Sequence, residues 1–464
     1  MSSEENTFTP SAMRFSDTVP LATPILDLNY NVSIPSNGGS FQPNQEVRIP
    51  FNVPADSFVD MKRAYLKMTI TNNSAADTWL LDPLCGVGAF IDTFRVIGGT
   101  GALLEETIHY NALCSAMNTF NSTDTQQSRG AIMEGTSHNL VDLASASNPA
   151  GTAADSANAQ SIAFGVSKTL THSPVSAFFN ADKYLPLGYT QGSSYLSLTL
   201  ASANTPLKCL TGAAVQTGAW TISNVELHLP VLRPGAEFAG NFRTLLASGM
   251  PINIHSVGFQ NTQQNISAQS TGTQTLTFST RKRSVKSLMT IFRINAALTS
   301  ALEDSASARK SLDVTRYQYS VGGIRIPSQE IVVEGRAAGN DLGEVYANNI
   351  MAIGHYDSDI RASIAGCGGA TPSTTQAPYI VPLVANADRD IGSAVCYCLD
   401  LESYGEGIAG KNLAGQGLPL VGHFNVGALG AQNVAGAAAL ADMYVIHDVV
   451  YRLDGATGVM TASS

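Results

Sequence analysis

The chain runs to 464 residues with a formal net charge of −10, a balance that argues against wrapping nucleic acid, which needs a basic face. Its length is ample for two hydrophobic cores. Charged residues make up only 13%, against 44% apolar, and 41 Gly with 20 Pro favour turns over charged helical surfaces. So weakly charged a surface suits a protein that covers itself with copies of itself.

Residues 1–38 carry Pro10, Pro20, Pro24 and Pro35 and no sustained period, which reads as an extended arm ordered by contact with something else. MSSEENTFTP has neither the basic start nor the apolar core of a secretory signal. No apolar run approaches the roughly 20 residues that cross a bilayer. From Glu46 the pattern is that of strands: VRIPFNVP, then AYLKMTITNN, whose alternation sorts Leu66, Met68 and Ile70 from Tyr65, Lys67 and Thr69, then FIDTFRVI. Residues 122–165 are polar and small, as in DLASASNPAGTAADSANAQS, and read as a surface insertion. Strands return with KYLPLGYTQGSSYLSLTLAS and TISNVELHLPVLRP, where Val225, Leu227, Leu229 and Val231 face one way and Glu226 and His228 the other. GAEFAGNFRTLLAS predicts a short connecting helix.

The second half repeats the order. INIHSVGFQN, QTLTFST and SVKSLMTIFRI are predicted strands, and YVIHDVVYRLDG takes the place that TISNVELHLPVLRP holds in the first half. FRVIGGTGALLEETIHY, with Gly98-Gly99, has a counterpart in YQYSVGGIRIPSQEIVV, with Gly322-Gly323. The first looks like a nucleotide-binding turn. Yet Glu105 stands where the G-x-G-x-x-G/A fingerprint needs a small residue, and no acidic second strand follows. Pro327 interrupts any helix after the second copy. A hairpin turn accounts for both.

Little else carries chemistry. The eight histidines form no ligand pair at useful spacing, and His228 and His447 hold similar places in the two terminal strands. His355, Asp357 and Asp359 fall within five positions, as exposed loop acids or a cation site. Arg281-Lys282-Arg283 with Lys286 is a solvated strand end, an import signal or an interior patch facing a polyanion; the sequence leaves these open. The six cysteines, Cys85, Cys114, Cys209, Cys367, Cys396 and Cys398, form no metal framework and read as buried thiols. No catalytic, cofactor-binding or metal-ligating residue is assigned, and no cofactor is expected.

Five stretches carry a resemblance: KYLPLGYTQGSSYLSLTL (183–200), RKRSVKSLMTIFRI (281–294), RYQYSVGGIRIPSQEI (316–331), CYCLDLES (396–403) and MYVIHDVVYRLDG (443–455). With the strand order, they resemble the double jelly-roll major capsid proteins of icosahedral double-stranded DNA viruses, nearest the Polinton-like virus and virophage type, over about residues 40–460. The resemblance implies an all-β chain of two tandem eight-stranded jelly rolls with long surface loops and short helices. On this expectation an arm (1–38) precedes a first roll (39–236, insertion about 122–165), a linker with a short helix (237–249) and a second roll (250–464). It further implies a homotrimeric, pseudohexagonal capsomer in the virion. Its partners would be neighbouring capsomers, penton proteins, and minor capsid or cement proteins. It implies no enzyme activity and no sequence-specific nucleic-acid binding; an internal membrane is not indicated. The rival is a tandem β-sandwich carbohydrate-binding or adhesion module, against which two Trp in the whole chain count.

Overall fold

The computed structural model describes residues 25–464 apart from 76, 83, 119–129, 137–160, 210–218, 268–271, scattered positions between 296 and 313, 334–342, 355–395, 403–407, 409, 415–419 and 427–437. Its first eight principal strands are β1 (Ile25–Ser33), β2 (Glu46–Pro50), β3 (Tyr65–Asn72), β4 (Ile91–Ile97), β5 (Leu103–Ile108), β6 (Ser167–His172), β7 (Tyr195–Leu200) and β8 (Trp220–Pro234). They form two antiparallel sheets, ordered β1-β8-β3-β6 and β2-β7-β4-β5. The next eight are β9 (Ile252–Ile266), β10 (Gly272–Phe278), β11 (Val285–Ile294), β12 (Val314–Val321), β13 (Ile324–Val332), β14 (Tyr397–Asp400), β15 (Leu420–Val426) and β16 (Ala439–Leu453). These pair as β9-β16-β11-β14 and β10-β15-β12-β13. Numbered from one within each half, both orders are 1-8-3-6 and 2-7-4-5. That shared permutation, two Greek keys wrapped face to face, is a jelly roll, and the chain contains it twice.

The alternation expected in β3 holds along its whole length: Leu66, Met68, Ile70 and Asn72 are buried, and the residues between them are half-exposed. On the outer face hydroxyls pair across strands, Thr69 with Thr169 at 2.9 Å and Thr71 with Ser167 at 2.8 Å. The matching sheet of the second roll is covered over most of its outer face by two helices, and its exposed residues lie toward the ends of β9 and β16. Helix α1 (Tyr110–Asn118) follows β5, and the equivalent helix α3 (Gly343–Gly354) comes after β13. Ala112, Leu113 and Ala116 of α1 and Ala352 and Ile353 of α3 share one apolar cluster with Met289, Tyr444 and Ile446 of the second roll. β16 is consequently buried almost throughout. The two rolls are knitted further by Phe178, which meets Tyr451 edge-on at 5.4 Å inside the first roll's core.

The connecting helix predicted at GAEFAGNFRTLLAS is α2 (Ala236–Ala247). Two expectations need correction. Residues 25–33, read as part of an arm, are the first strand of the first roll, paired with β8 from Ile25 opposite Pro234 to Ser33 opposite Leu227. The prolines at 24 and 35 bracket this strand, and the apolar residues at 28, 30 and 32 supply the alternation that the proline spacing obscured. The ends of the polar stretch 122–165 are likewise structural. Ser161–Ile162 pairs with Trp79–Leu81, which also pairs with Leu207–Cys209, and Ile162 is buried. Gly135 packs so closely on Leu81 that a Cβ would lie 2.6 Å from its Cδ1. Composition averaged over forty residues hid these short anchors; residues 137–160 lie outside the described residues.

Candidate assembly surfaces and buried polar clusters

The two glycine pairs occupy equivalent hairpins, β4–β5 and β12–β13, for different physical reasons. In the second, Val321 pairs with Ile324 around a two-residue turn in which Gly322 and Gly323 have φ of 60° and 82°, the geometry of a type I′ turn. In the first, positive φ falls instead on Gly101, at 85°. Gly99 is required by proximity: a Cβ there would lie 2.1 Å from the carbonyl oxygen of Gln191. Glu105, just beyond, is buried and accepts from Ser176 Oγ at 2.5 Å and from the backbone N–H groups of Ala177 at 2.8 Å and Phe178 at 2.9 Å. Burial, opposed by these hydrogen bonds, leaves its carboxyl above the usual range.

Among the described residues, three polar clusters bear on function. In the first roll, Tyr110 Oη sits 2.9 Å from His172 Nε2, and His172 Nδ1 lies 3.4 Å from Glu134, a charge contact rather than an aligned hydrogen bond. The Cys114 thiol interacts with both His172 and Cys85. Burial opposes charge on both groups, but these interactions outweigh it, raising His172 to about 10 and lowering Cys114 to about 6. A cysteine, a histidine and a carboxylate so placed have the parts of a nucleophilic site. Cys114 is 0% and His172 2% exposed, however, so no substrate reaches them. The five residues come from four segments between Cys85 and His172, Tyr110 and Cys114 sharing α1, and no local motif announces them. The second cluster is the buried ion pair of Arg293 and Asp442 at 2.6 Å, to which Gln263 adds a hydrogen bond at 2.8 Å.

The third joins the rolls. His255 on β9 meets Asp182 of the first roll at 2.9 Å through Nδ1 and Asp448 of β16 at 2.7 Å through Nε2. Ser284 donates to Asp448, and Lys286 lies 3.5 Å from Asp448 and 3.0 Å from Glu402. The basic run is therefore split: Arg281 and Arg283 are exposed, whereas Lys286 belongs to this internal network. His228 bonds Glu226 at 3.0 Å and stacks on Tyr65 at 4.6 Å, while His447 is buried. Among the described residues, no group of three His, Cys, Asp or Glu is placed to hold a metal; His355, Asp357 and Asp359 lie outside them. Cys396 and Cys398 are buried side by side under the helices, and Tyr397 between them points into the roll. No helix among the described residues is long and apolar enough to cross a membrane.

The surface has apolar features of another kind. On β1, which is paired on one side only, Leu28, Tyr30 and Val32 point outward, with Ile34 next, at 44–62% exposure. An open edge lined with large apolar side chains is a pairing surface that a solitary protein would blunt with charge. Around α2 a second apolar area includes Tyr184, Phe238, Leu245 and Met250. These surfaces, rather than any cluster of reactive groups, are the accessible candidate sites.

No family model and no curated protein matches the sequence. Solved structures do. VP54 of PBCV-1, fitted into a reconstruction of the virophage Sputnik, superimposes with a TM-score of 0.58 at 11% identity, covering 97% of this chain and 99% of that one. The Faustovirus major capsid protein gives 0.55 at 10% identity, covering 96% and 93%. A Sputnik virophage structure gives 0.53 at 12%, covering 98% and 92%. At such identity the likeness is one of fold, and it extends over nearly the whole of each chain: this chain has the tandem jelly-roll fold of those viral proteins.

Proposed function

We propose that this chain is a structural major capsid protein, three copies of which form a pseudohexagonal capsomer that tiles an icosahedral virus shell. The observation that carries the reading is the doubled jelly roll, matched over nearly the whole of each chain with VP54 and the Faustovirus protein. Two rolls per chain give a trimer six similar towers, so a three-fold object presents a nearly six-fold outline to its neighbours. The exposed apolar edge of β1 and the sparse surface charge suit a subunit whose flanks are covered. In this reading the chain is not an enzyme. Its partners are its own copies, neighbouring capsomers, and penton and minor capsid or cement proteins; its place is the virion.

Light scattering on the purified protein tests the subunit count. A mass of about three times the 48.7 kDa chain is expected at micromolar concentration. A stable monomer at all concentrations would remove the capsomer from the account.

A further inference from the structure

Helix α2 keeps its apolar side chains near the surface. It carries Phe238, Phe242, Leu245 and Leu246, yet none of its residues is fully buried. Phe238 and Leu245, with the neighbouring Tyr184 and Met250, are 39–56% exposed. On the inner side, Phe58 meets Phe242 edge-on at 5.0 Å and Tyr189 packs on it at 4.8 Å, which holds the helix in place. Between α2 and the roll runs a groove of about 340 Å³, walled by Phe58, Leu232, Phe242 and Ile254, with Lys183 as the charged residue among its walls.

The same end of the molecule gathers positive charge. Helix α2 joins the end of β8 to the start of β9, and Phe58 and Tyr189 bring the β2–β3 and β6–β7 connections to it. From there the end continues into the second roll. A Cβ on Gly455 would lie 2.5 Å from the Leu246 carbonyl oxygen. Met460–Ser463 then returns along β16, and Lys282 Nζ lies 2.7 Å from Ser464 Oγ. Lys62, Lys183, Arg281, Arg283 and Arg452 are exposed around this end. Four of the nearby acids are already engaged. Asp60 faces Arg63 at 3.5 Å, Asp56 pairs with Arg243, Asp182 with His255, and Asp454 accepts from Thr457 in its own turn. A chain of net charge −10 thus presents an end where cations are in excess.

Aromatic and aliphatic side chains ringed by cations fit one kind of partner. An anionic bilayer surface takes up apolar groups at the depth of its headgroups, and each Lys or Arg held near it strengthens binding about fivefold. A nucleic acid would use the cations but leave Phe238, Leu245 and Met250 in water. We infer that this end of the chain docks on a lipid bilayer bearing anionic headgroups. Helix α2 lies in the interface, and Lys183, Arg281 and Arg283 face the headgroups. The inference concerns one end of a single chain and stands apart from the shell reading.

Flotation of the full-length protein with vesicles tests it. Vesicles of phosphatidylcholine with phosphatidylserine should carry the protein upward, and salt should weaken the binding. Vesicles of phosphatidylcholine alone should carry far less. Arg281→Ala/Arg283→Ala should weaken binding at least about tenfold. Phe238→Ser/Leu245→Ser alters side chains that are already exposed, so binding should be lost with little change in melting temperature. Phe238→Trp gives a reading that does not depend on losing anything. Brominated acyl chains should quench its fluorescence, since the native Trp79 and Trp220 are buried in the first roll's core. Failure to float, equal binding to neutral vesicles, or an unquenched Phe238→Trp variant would overturn the proposal. Retardation of duplex DNA without vesicle binding would assign the cations to a polyanion and overturn it too.

Discussion

Glu105 holds the backbone N–H of Ala177 at 2.8 Å, tying the β4–β5 hairpin to the segment that threads between the two rolls. The same carboxylate binds Phe178 N–H and Ser176 Oγ, and Ser256 of the second roll donates to the Ala177 carbonyl at 2.6 Å. One buried acid thus fixes the seam. Glu105→Ala strands three donors in a dry site and should cost roughly 2–5 kcal/mol. Glu105→Gln, which keeps one acceptor oxygen, should cost less. Denaturant midpoints measure both, and equal losses would mean that the acceptor role is unimportant.

The glycines separate by mechanism. Gly99→Ala must push apart two backbones and should destabilise by roughly 1–3 kcal/mol. Gly323→Ala forces an L side chain to a φ of 82° and should cost about 1–2 kcal/mol. Gly101→Asn, at positive φ but with nothing within 4 Å of its Cβ position, should stay under about 1 kcal/mol. Thermal melts rank the three. Calorimetric titration with NAD and ATP should give no saturable heat; micromolar binding lost in Gly99→Val would restore the nucleotide reading.

Two histidines give the stability profile opposite slopes. Hydrogen bonding to Asp448, then to Asp182, raises the pKa of His255, so its clamp is complete below about pH 6.5 and fades as pH climbs through the raised value. For His447, burial and then Lys282 lower the pKa to about 3. Its neutral form therefore favours the fold above about pH 6.5, an advantage lost as pH falls toward 3. The melting temperature should decline toward both ends between pH 4 and 9. His255→Gln should flatten the alkaline side, and His447→Gln the acid side. If neither variant alters its slope, other groups govern the profile.

Much of this architecture was legible in the order of strands. Alternation in β3 and β8 followed from which residues reach the core, and the paired glycines marked the same hairpin in both rolls. Helices α1 and α3 were not legible, because YNALCSAMN and GEVYANNIMAIG are short and apolar on the face that packs on a sheet distant in sequence. β1 was missed for a related reason: Leu28, Tyr30 and Val32 are exposed, and the residues that alternate with them are polar. The buried clusters were invisible for want of locality, since His255 meets Asp182 and Asp448 only after both rolls have formed.

The outward stripe on β1 offers a surface prediction. Tyr30→Asp with Val32→Asp places two charges on an exposed edge without touching the core, so circular dichroism and melting should change little. Subunit association should weaken at least about tenfold, because desolvating two carboxylates in an apolar contact is unfavourable. Sedimentation velocity reads the shift, and unaltered oligomers would exclude this edge from the subunit contact.

Negative-stain imaging of the purified full-length protein tests the central claim most directly. The capsid account predicts uniform particles, three chains each, with a hexagonal outline and, in concentrated samples, sheets or shells tiled by them. Single elongated particles of two lobes, unchanged from nanomolar to tens of micromolar, would contradict it.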